Sequence, residues 1–193
     1  MKRIVVFCGS SAGHDPVYME AATLLGASLA QRGITLVYGG AKVGLMGAVA
    51  DGALQAGGQV IGVLPYFLQE KELAHTGLTE LILVDTMHER KTRMNELSDG
   101  VIALPGGFGT MEELFEMLTW GQLGLHQKPI GLLNVNSFYD SLIQLAQTMT
   151  EKGFLSPENR DMLLCSNDAA TLLTQMEQYQ APVKGKWITP AQS

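Results

Sequence analysis

Val101-Ile102-Ala103-Leu104-Pro105-Gly106-Gly107-Phe108-Gly109-Thr110-Met111-Glu112-Glu113 joins an apolar, strand-like run to the start of a helix. The first four residues carry no polar side chain, as in a strand buried on both faces. Pro105 ends the strand, because proline has no N–H for the ladder. Gly106, Gly107 and Gly109 remove three side chains where the chain turns into a helix, so that amide N–H groups can approach an anion closely. Thr110 can cap that helix and offer a hydroxyl to a phosphate oxygen. Glu113, one turn on, points a carboxylate back at the same region. The spacing predicts an anion cradle beside a carboxylate. Thr110-x-x-Glu113 also reads as a capping box, in which both side chains only satisfy the first helical amides, and the stretch alone leaves the two readings open.

Outward from this stretch, short apolar runs alternate with helical patterns. Residues 3–8 read as a first buried strand followed by Gly9-Ser10-Ser11. Asp15-Pro16 starts a helix, with Ala21, Leu24, Leu25, Ser28 and Leu29 at helical spacing until Gly33. Strands are predicted at 35–38, 60–64, 81–84 and 129–133, and helices at 45–56, 87–98, from the central stretch to about 123, and at 138–152. Residues 66–79 have weak periodicity and read as a loop or short helix. Ser156-Pro157 and Asp168 look like caps of two further helices. The expected organisation is one domain over 1–179 with an exposed tail at 180–193.

The 193 residues, 46% hydrophobic and 17% charged, fit one domain with a sizeable core. No apolar run approaches the roughly 20 residues of a membrane span. Met1-Lys2-Arg3 leads directly into Ile4-Val5-Val6-Phe7 without a signal-peptide cleavage pattern, so a soluble, cytoplasmic protein is expected. Cys8 and Cys165 lie in apolar settings with no spacing suited to zinc; buried thiols and no metal site are expected. A formal charge of −6 without any Lys/Arg cluster argues against a nucleic-acid backbone or an anionic membrane as partner.

Strand–helix alternation of this kind implies right-handed βαβ crossovers and a doubly wound, Rossmann-like α/β fold with a parallel sheet. Ligands bind at the carboxyl ends of such strands. Gly9-Ser10-Ser11, Gly39-Gly40 and Gly106-Gly107-x-Gly109 all follow strands and are expected to converge at that edge, joined by Arg90 after the fourth strand. The first strand–turn–helix lacks G-x-G-x-x-G and no acidic residue ends the second strand, which disfavours a dinucleotide. A Walker-type G-x-x-x-x-G-K-[ST] is absent as well. A mononucleotide-sized ligand fits better.

Pro105-Gly106-Gly107-x-Gly109-Thr110-x-x-Glu113, preceded by Met87-His88-x-Arg90-Lys91 and by Gly39-Gly40-x-x-x-Gly44-Leu45-Met46-Gly47, resembles the LONELY GUY (LOG) family over almost the full length, including Cys8-Gly9-Ser10-Ser11 and Lys128-Pro129-Ile130-Gly131. The resemblance implies a phosphoribohydrolase that releases a purine (cytokinin) base from its riboside 5′-monophosphate and also accepts AMP, with no cofactor. It implies Arg90 and Glu113 as the catalytic pair. A carboxylate beneath the sugar can stabilise an oxocarbenium-like centre or orient water, and the guanidinium can hold Glu113 or hydrogen-bond the departing base. The alternative for Arg90 is a surface ion pair with Glu89 or Glu96. Substrate contacts are expected from Ser10, Ser11, Gly39, Gly40, Met46, Met87, Lys91, Gly106, Gly107, Gly109 and Thr110. Lys91 either faces the phosphate or is a solvated helix charge, while Met46, Met87 and His88 either line the base pocket or pack. The resemblance, with an apolar stripe of Leu114, Met117, Leu118 and Trp120 that reads as core or subunit interface, predicts a homodimer.

Two other functions compete. Similar sequences have carried a lysine decarboxylase label, which would need a lysine in Schiff-base linkage to pyridoxal phosphate. Only Lys42 and Lys91 fall near the expected site, and neither comes with a cofactor-binding pattern. A non-catalytic nucleotide or molybdenum-cofactor carrier would use the glycine loop alone and has no need of paired Arg90 and Glu113.

Overall fold

The computed structural model describes residues 1–69 and 74–182. Seven strands, β1 (Arg3–Phe7), β2 (Thr35–Tyr38), β3 (Val60–Pro65), β4 (Glu80–Val84), β5 (Gly100–Ala103), β6 (Ile130–Leu133) and β7 (Leu163–Ser166), form one sheet in the order β4-β3-β2-β1-β5-β6-β7. Every pairing is parallel. The helices are α1 (Val17–Gln31), α2 (Gly44–Gln55), α3 (Tyr66–Gln69), α4 (Met87–Glu96), α5 (Phe108–Gln122), α6 (Asp140–Glu151), α7 (Pro157–Arg160) and α8 (Ala169–Gln178). The expected doubly wound single-domain α/β fold is the one found.

Alternation along the strands sorts the core into two layers, because successive side chains point to opposite faces. Ile4, Val6, Leu36, Tyr38 and Ile102 pack with Leu25, Leu29 and Val49 of α1 and α2 and with Leu172 and Leu173 of α8. Val5, Phe7, Val37, Val63, Val101 and Ala103 pack with Met94 of α4 and with Leu114 and Met117 of α5. At the end of β5 the buried Tyr139 hydroxyl donates to the Leu104 carbonyl at 2.6 Å, satisfying that acceptor just before Pro105 takes the chain out of the sheet.

The chain steps outward from β1 through β2 and β3 to β4, and α4 then carries it back to β5 on the other side of β1. The direction of winding reverses between β1 and β5, which opens a crevice outside their carboxyl ends. The Gly9 amide donates to the Pro105 carbonyl at 3.0 Å, so the two strand ends that flank the crevice are tied together.

The sequence misses β7. Ser156 and Asp168 do cap helices, through Asn159 N–H and Thr171 N–H, but a four-residue strand of half-buried residues lies between them. Such a short edge strand shows too little periodicity to stand out. Leu24 is corrected as well: it is 65% exposed, and α1 buries Ala22, Leu25, Gly26 and Leu29 instead. Within 66–79 the short-helix reading holds for Tyr66–Gln69, while residues 70–73 lie outside the described residues. Of the expected tail, 183–193 likewise lies outside them.

Candidate active site

A cleft of about 300 Å³ opens at the β1/β5 crevice, with Arg90 and Glu113 both in its wall. Ser10, Gly39, Met46, Gly107, Gly109 and Thr110 line it too. Ser10 and Gly107 also border a neighbouring depression of about 350 Å³, whose wall includes Ser11 and Gly106, two expected residues that do not line the cleft itself. Four further residues expected at the site do not line the cleft. Gly40 has φ +81°, and a Cβ there would lie 3.2 Å from Leu64 and from Leu81, not in the cleft. Met87, at the start of α4, is 39% exposed and places its sulfur 3.9 Å from Arg90 Nη1. His88 is exposed. Lys91 is engaged elsewhere, as described below.

Arg90 is fixed by the main chain. Its Nε donates to the Val63 carbonyl at 3.1 Å and its Nη2 to the Gly39 carbonyl at 3.3 Å, so the ends of β3 and β2 seat the guanidinium. The residue is only 7% exposed and makes no ion pair among the described residues. A surface pair with Glu89 or Glu96 is therefore excluded: Glu89 accepts from the Asp85 amide, and Glu96 pairs with Arg93. The charge of Arg90 is left for the cleft. A guanidinium so placed is pre-organised, because two of its five donors are spent on backbone carbonyls and a third reaches the Met87 sulfur.

The helix that carries Glu113 begins earlier than its capping pattern suggests. Gly107, in an extended conformation, is the N-cap, and its carbonyl accepts from the Met111 amide at 3.1 Å. Thr110 is thus the third residue of α5, buried at 4% exposure, and does not cap the helix. The capping box fails because the glycines let the helix start at Phe108, two residues before the threonine. The Thr110 side chain packs against Gly106, where a Cβ would stand 2.1 Å from its Oγ1. The amides of Phe108, Gly109 and Thr110 are first-turn donors without helical acceptors, and they open on the cleft with the positive end of the helix behind them.

Glu113 is half-buried, faces the cleft and has no hydrogen-bond or ion-pair partner among the described residues. Burial raises its pKa from 4.5 to about 7; Arg90 and Lys91 pull it down, while Glu112 and Glu116 push it further up. Cys8, read from the sequence as a buried thiol, is buried but also forms part of the cleft wall, and burial pushes its pKa up strongly. A carboxylate that changes charge near neutrality, opposite an immobilised guanidinium, can bind or release a proton during a reaction.

The other glycine motif builds the opposite wall. The Leu45 amide donates to the Gly9 carbonyl at 3.1 Å, and a Cβ on Gly44, whose φ is +54°, would lie 2.3 Å from the Ser10 carbonyl carbon. Gly44 thus lets the start of α2 close under the Gly9-Ser10-Ser11 loop. Four cleft residues escape the sequence reading: Phe108, 97% exposed at the rim, and Val6, Phe7 and Met94 in the wall. Their only sequence signal is a place beside the motif residues. Groups of three or more His, Cys, Asp or Glu side chains able to hold a metal ion do not occur among the described residues. No helix among them is long and apolar enough to cross a membrane.

Comparison with known proteins agrees with this architecture. Residues 46–176 match the family described as "Possible lysine decarboxylase". The chain is 50% identical over 177 residues to the "Probable cytokinin riboside 5′-monophosphate phosphoribohydrolase LOGL1" of Oryza sativa subsp. japonica, covering 92% of this chain and 79% of that one. It is 47% identical over 179 residues to the cytokinin riboside 5′-monophosphate phosphoribohydrolase LOG7 of Arabidopsis thaliana, covering 93% and 82%. Among solved structures, the molybdenum cofactor binding protein of Rippkaea orientalis aligns with a TM-score of 0.69 at 24% identity, over 92% of this chain and 97% of that one. The molybdenum cofactor carrier protein of Chlamydomonas reinhardtii aligns with a TM-score of 0.69 at 23% identity, over 91% and 96%. At that identity the two structures share the fold alone.

Proposed function

The chain belongs to the family described as possible lysine decarboxylases and, within it, to the LONELY GUY phosphoribohydrolases, and on that premise we propose that its cleft hydrolyses the N-glycosidic bond of a purine (cytokinin) riboside 5′-monophosphate, AMP included. The products are the free base and ribose 5-phosphate. The observation that carries this reading is the Glu113 carboxylate, unpaired among the described residues and facing the same cleft as a guanidinium held by two backbone carbonyls. A site that only binds phosphate needs neither.

The 5′-phosphate sits at the start of α5, against the Gly107–Thr110 amides and the Thr110 hydroxyl, where the helix end favours an anion. This puts the ribose over Glu113. As the C–N bond breaks, positive charge grows on the sugar, and the carboxylate stabilises it and takes a proton from the attacking water. The water oxygen bonds to the anomeric carbon, the bonding electrons leave with the base, and the proton ends on the base nitrogen. Arg90, which stays charged, hydrogen-bonds the departing base or its developing negative charge.

Lysine decarboxylation finds no support at this site. A Schiff base needs a free amine, whereas the Lys91 ammonium is shared by two carboxylates that raise its pKa. The test is incubation of the purified protein with AMP and with isopentenyladenosine monophosphate, followed by assay of free base and ribose 5-phosphate; intact nucleotide after prolonged incubation refutes the proposal and favours a carrier.

The same reading includes a single nucleotide-binding domain over 1–179, a cytoplasmic setting and a homodimer. Leu114 and Met117 of the apolar stripe belong to the chain's own core, so the dimer contact moves to the outer side of α5 and α6. There Phe115, Leu145 and Phe154 are exposed around an apolar groove. Sedimentation of a monomer at micromolar concentration contradicts the dimer.

A further inference from the structure

Arg90 and Lys91 are neighbours on α4, about 100° apart around the helix, so when Arg90 points into the cleft Lys91 must leave along the flank. There its ammonium meets α5. Lys91 Nζ donates to Glu112 Oε1 at 2.6 Å and to Glu116 Oε1 at 3.0 Å. The two acceptors lie four residues apart on one face of α5 and bracket Glu113 in sequence. The Lys91 and Glu116 side chains are 19% and 22% exposed and that of Glu112 is 57% exposed, so the bridge is part-buried on the Glu116 side and open to water at Glu112. Among the described residues no other hydrogen bond or ion pair joins α4 to α5.

We propose that Lys91 is a positioning residue: by bridging Glu112 and Glu116 it locks the helix bearing Arg90 against the helix bearing Glu113 and balances the negative charge beside the reacting carboxylate. The kinetic part of this inference rests on the phosphoribohydrolase reading above; the structural and electrostatic part does not. An isolated surface ion pair stabilises little. The bridge acts instead on geometry and charge, since it spans the two elements whose separation sets the Arg90–Glu113 distance.

The charged and titratable groups acting on Glu113 are Arg90 and Lys91 from α4 and Glu112 and Glu116 on its own helix, with the Cys8 thiol after β1 coupled to it. Removing the Lys91 cation leaves two uncompensated carboxylates next to Glu113. Both favour the protonated form of Glu113, so the fraction of active carboxylate at neutral pH falls.

The experiment compares wild type, Lys91→Met, Lys91→Arg and the triple variant Lys91→Met/Glu112→Gln/Glu116→Gln. Glu113 titration is followed by carbon-13 NMR of glutamate-labelled protein, its signal identified with Glu113→Gln, and AMP turnover is measured across pH. In Lys91→Met we expect the Glu113 midpoint to rise by about half a pH unit. The acid limb of kcat should move with it, and kcat should fall about tenfold while KM stays within about twofold. Lys91→Arg keeps the bridge and restores both. The triple variant restores the midpoint but not kcat, which separates position from charge. A Lys91→Met protein with wild-type midpoint and wild-type kcat overturns the proposal, and full recovery of kcat in the triple variant overturns its positioning part. If the wild type releases no base, the functional reading fails, and the NMR midpoint of Lys91→Met still decides for or against the bridge.

Discussion

Arg90 and Gly39 fit together through an absence: Nη2 of Arg90 donates to the Gly39 carbonyl at 3.3 Å, and a Cβ on Gly39 would stand 2.2 Å from that same nitrogen. Gly39 is thus the seat of the guanidinium. Gly39→Ala should push Arg90 off its two carbonyls and lower kcat/KM for AMP by about a hundredfold, as misplacement of a catalytic group by about 1 Å does. The cost to thermal stability should be smaller in proportion, since the displaced group is the end of a long side chain. A melting curve beside the kinetics checks this. Unchanged turnover in a folded Gly39→Ala protein contradicts the assigned role of Arg90.

The Glu113 pKa of about 7 fixes the sign of two pH effects. If the carboxylate is the active form, kcat rises with pH through about 7 and levels off above it. Stability runs the other way. Because the folded-state pKa lies above the ordinary 4.5, the contribution of this group is fully present below about 4.5 and is lost as pH rises through about 7. Glu113→Gln escapes that loss. The melting temperature of the variant relative to wild type should therefore increase between pH 5 and pH 8, and a difference independent of pH contradicts the raised pKa.

Two glycines, Gly106 before α5 and Gly109 in its first turn, should respond oppositely to the same methyl group. At Gly106 a Cβ would meet Thr110 Oγ1 at 2.1 Å and the Gly9 amide nitrogen at 2.8 Å, so Gly106→Ala should destabilise the fold by about 1–3 kcal/mol. At Gly109 a Cβ meets nothing within 4 Å, and alanine is the better helix former. Gly109→Ala should melt at or above the wild-type temperature yet raise KM for AMP about tenfold, because the methyl group fills the space of the phosphate. Adenosine, without the phosphate, should be cleaved poorly by both proteins and at similar rates. Equal rates on AMP and adenosine in the wild type contradict the cradle.

The order of elements from β1 to α6 is legible because each strand carries an apolar run, closed by glycine or proline after β1, β2, β3 and β5, with helical spacing between the runs. β7 is not, since Leu163-Leu164-Cys165-Ser166 is short, half-buried and placed between two helix caps. Arg90 and Glu113 stand out through their motifs, but their surroundings do not. Thr110 and Glu113 have the spacing of a capping box, and only the backbone shows that the helix begins at Phe108. Lys91 looks like a phosphate ligand or a solvated charge, and neither reading brings in Glu112 and Glu116, because these partners arrive from another helix. A sequence shows local spacing and hides which carbonyls and carboxylates meet across the fold.

The central claim, that Glu113 is chemical rather than structural, is tested by the rate at which Glu113→Gln releases adenine from AMP. Glutamine keeps the size and hydrogen-bonding reach of the side chain but carries no charge to face a ribosyl cation and cannot take a proton from water. The account predicts a folded protein that still binds AMP and releases base at least about a hundredfold more slowly than wild type. Release at the wild-type rate by a folded Glu113→Gln protein would contradict it.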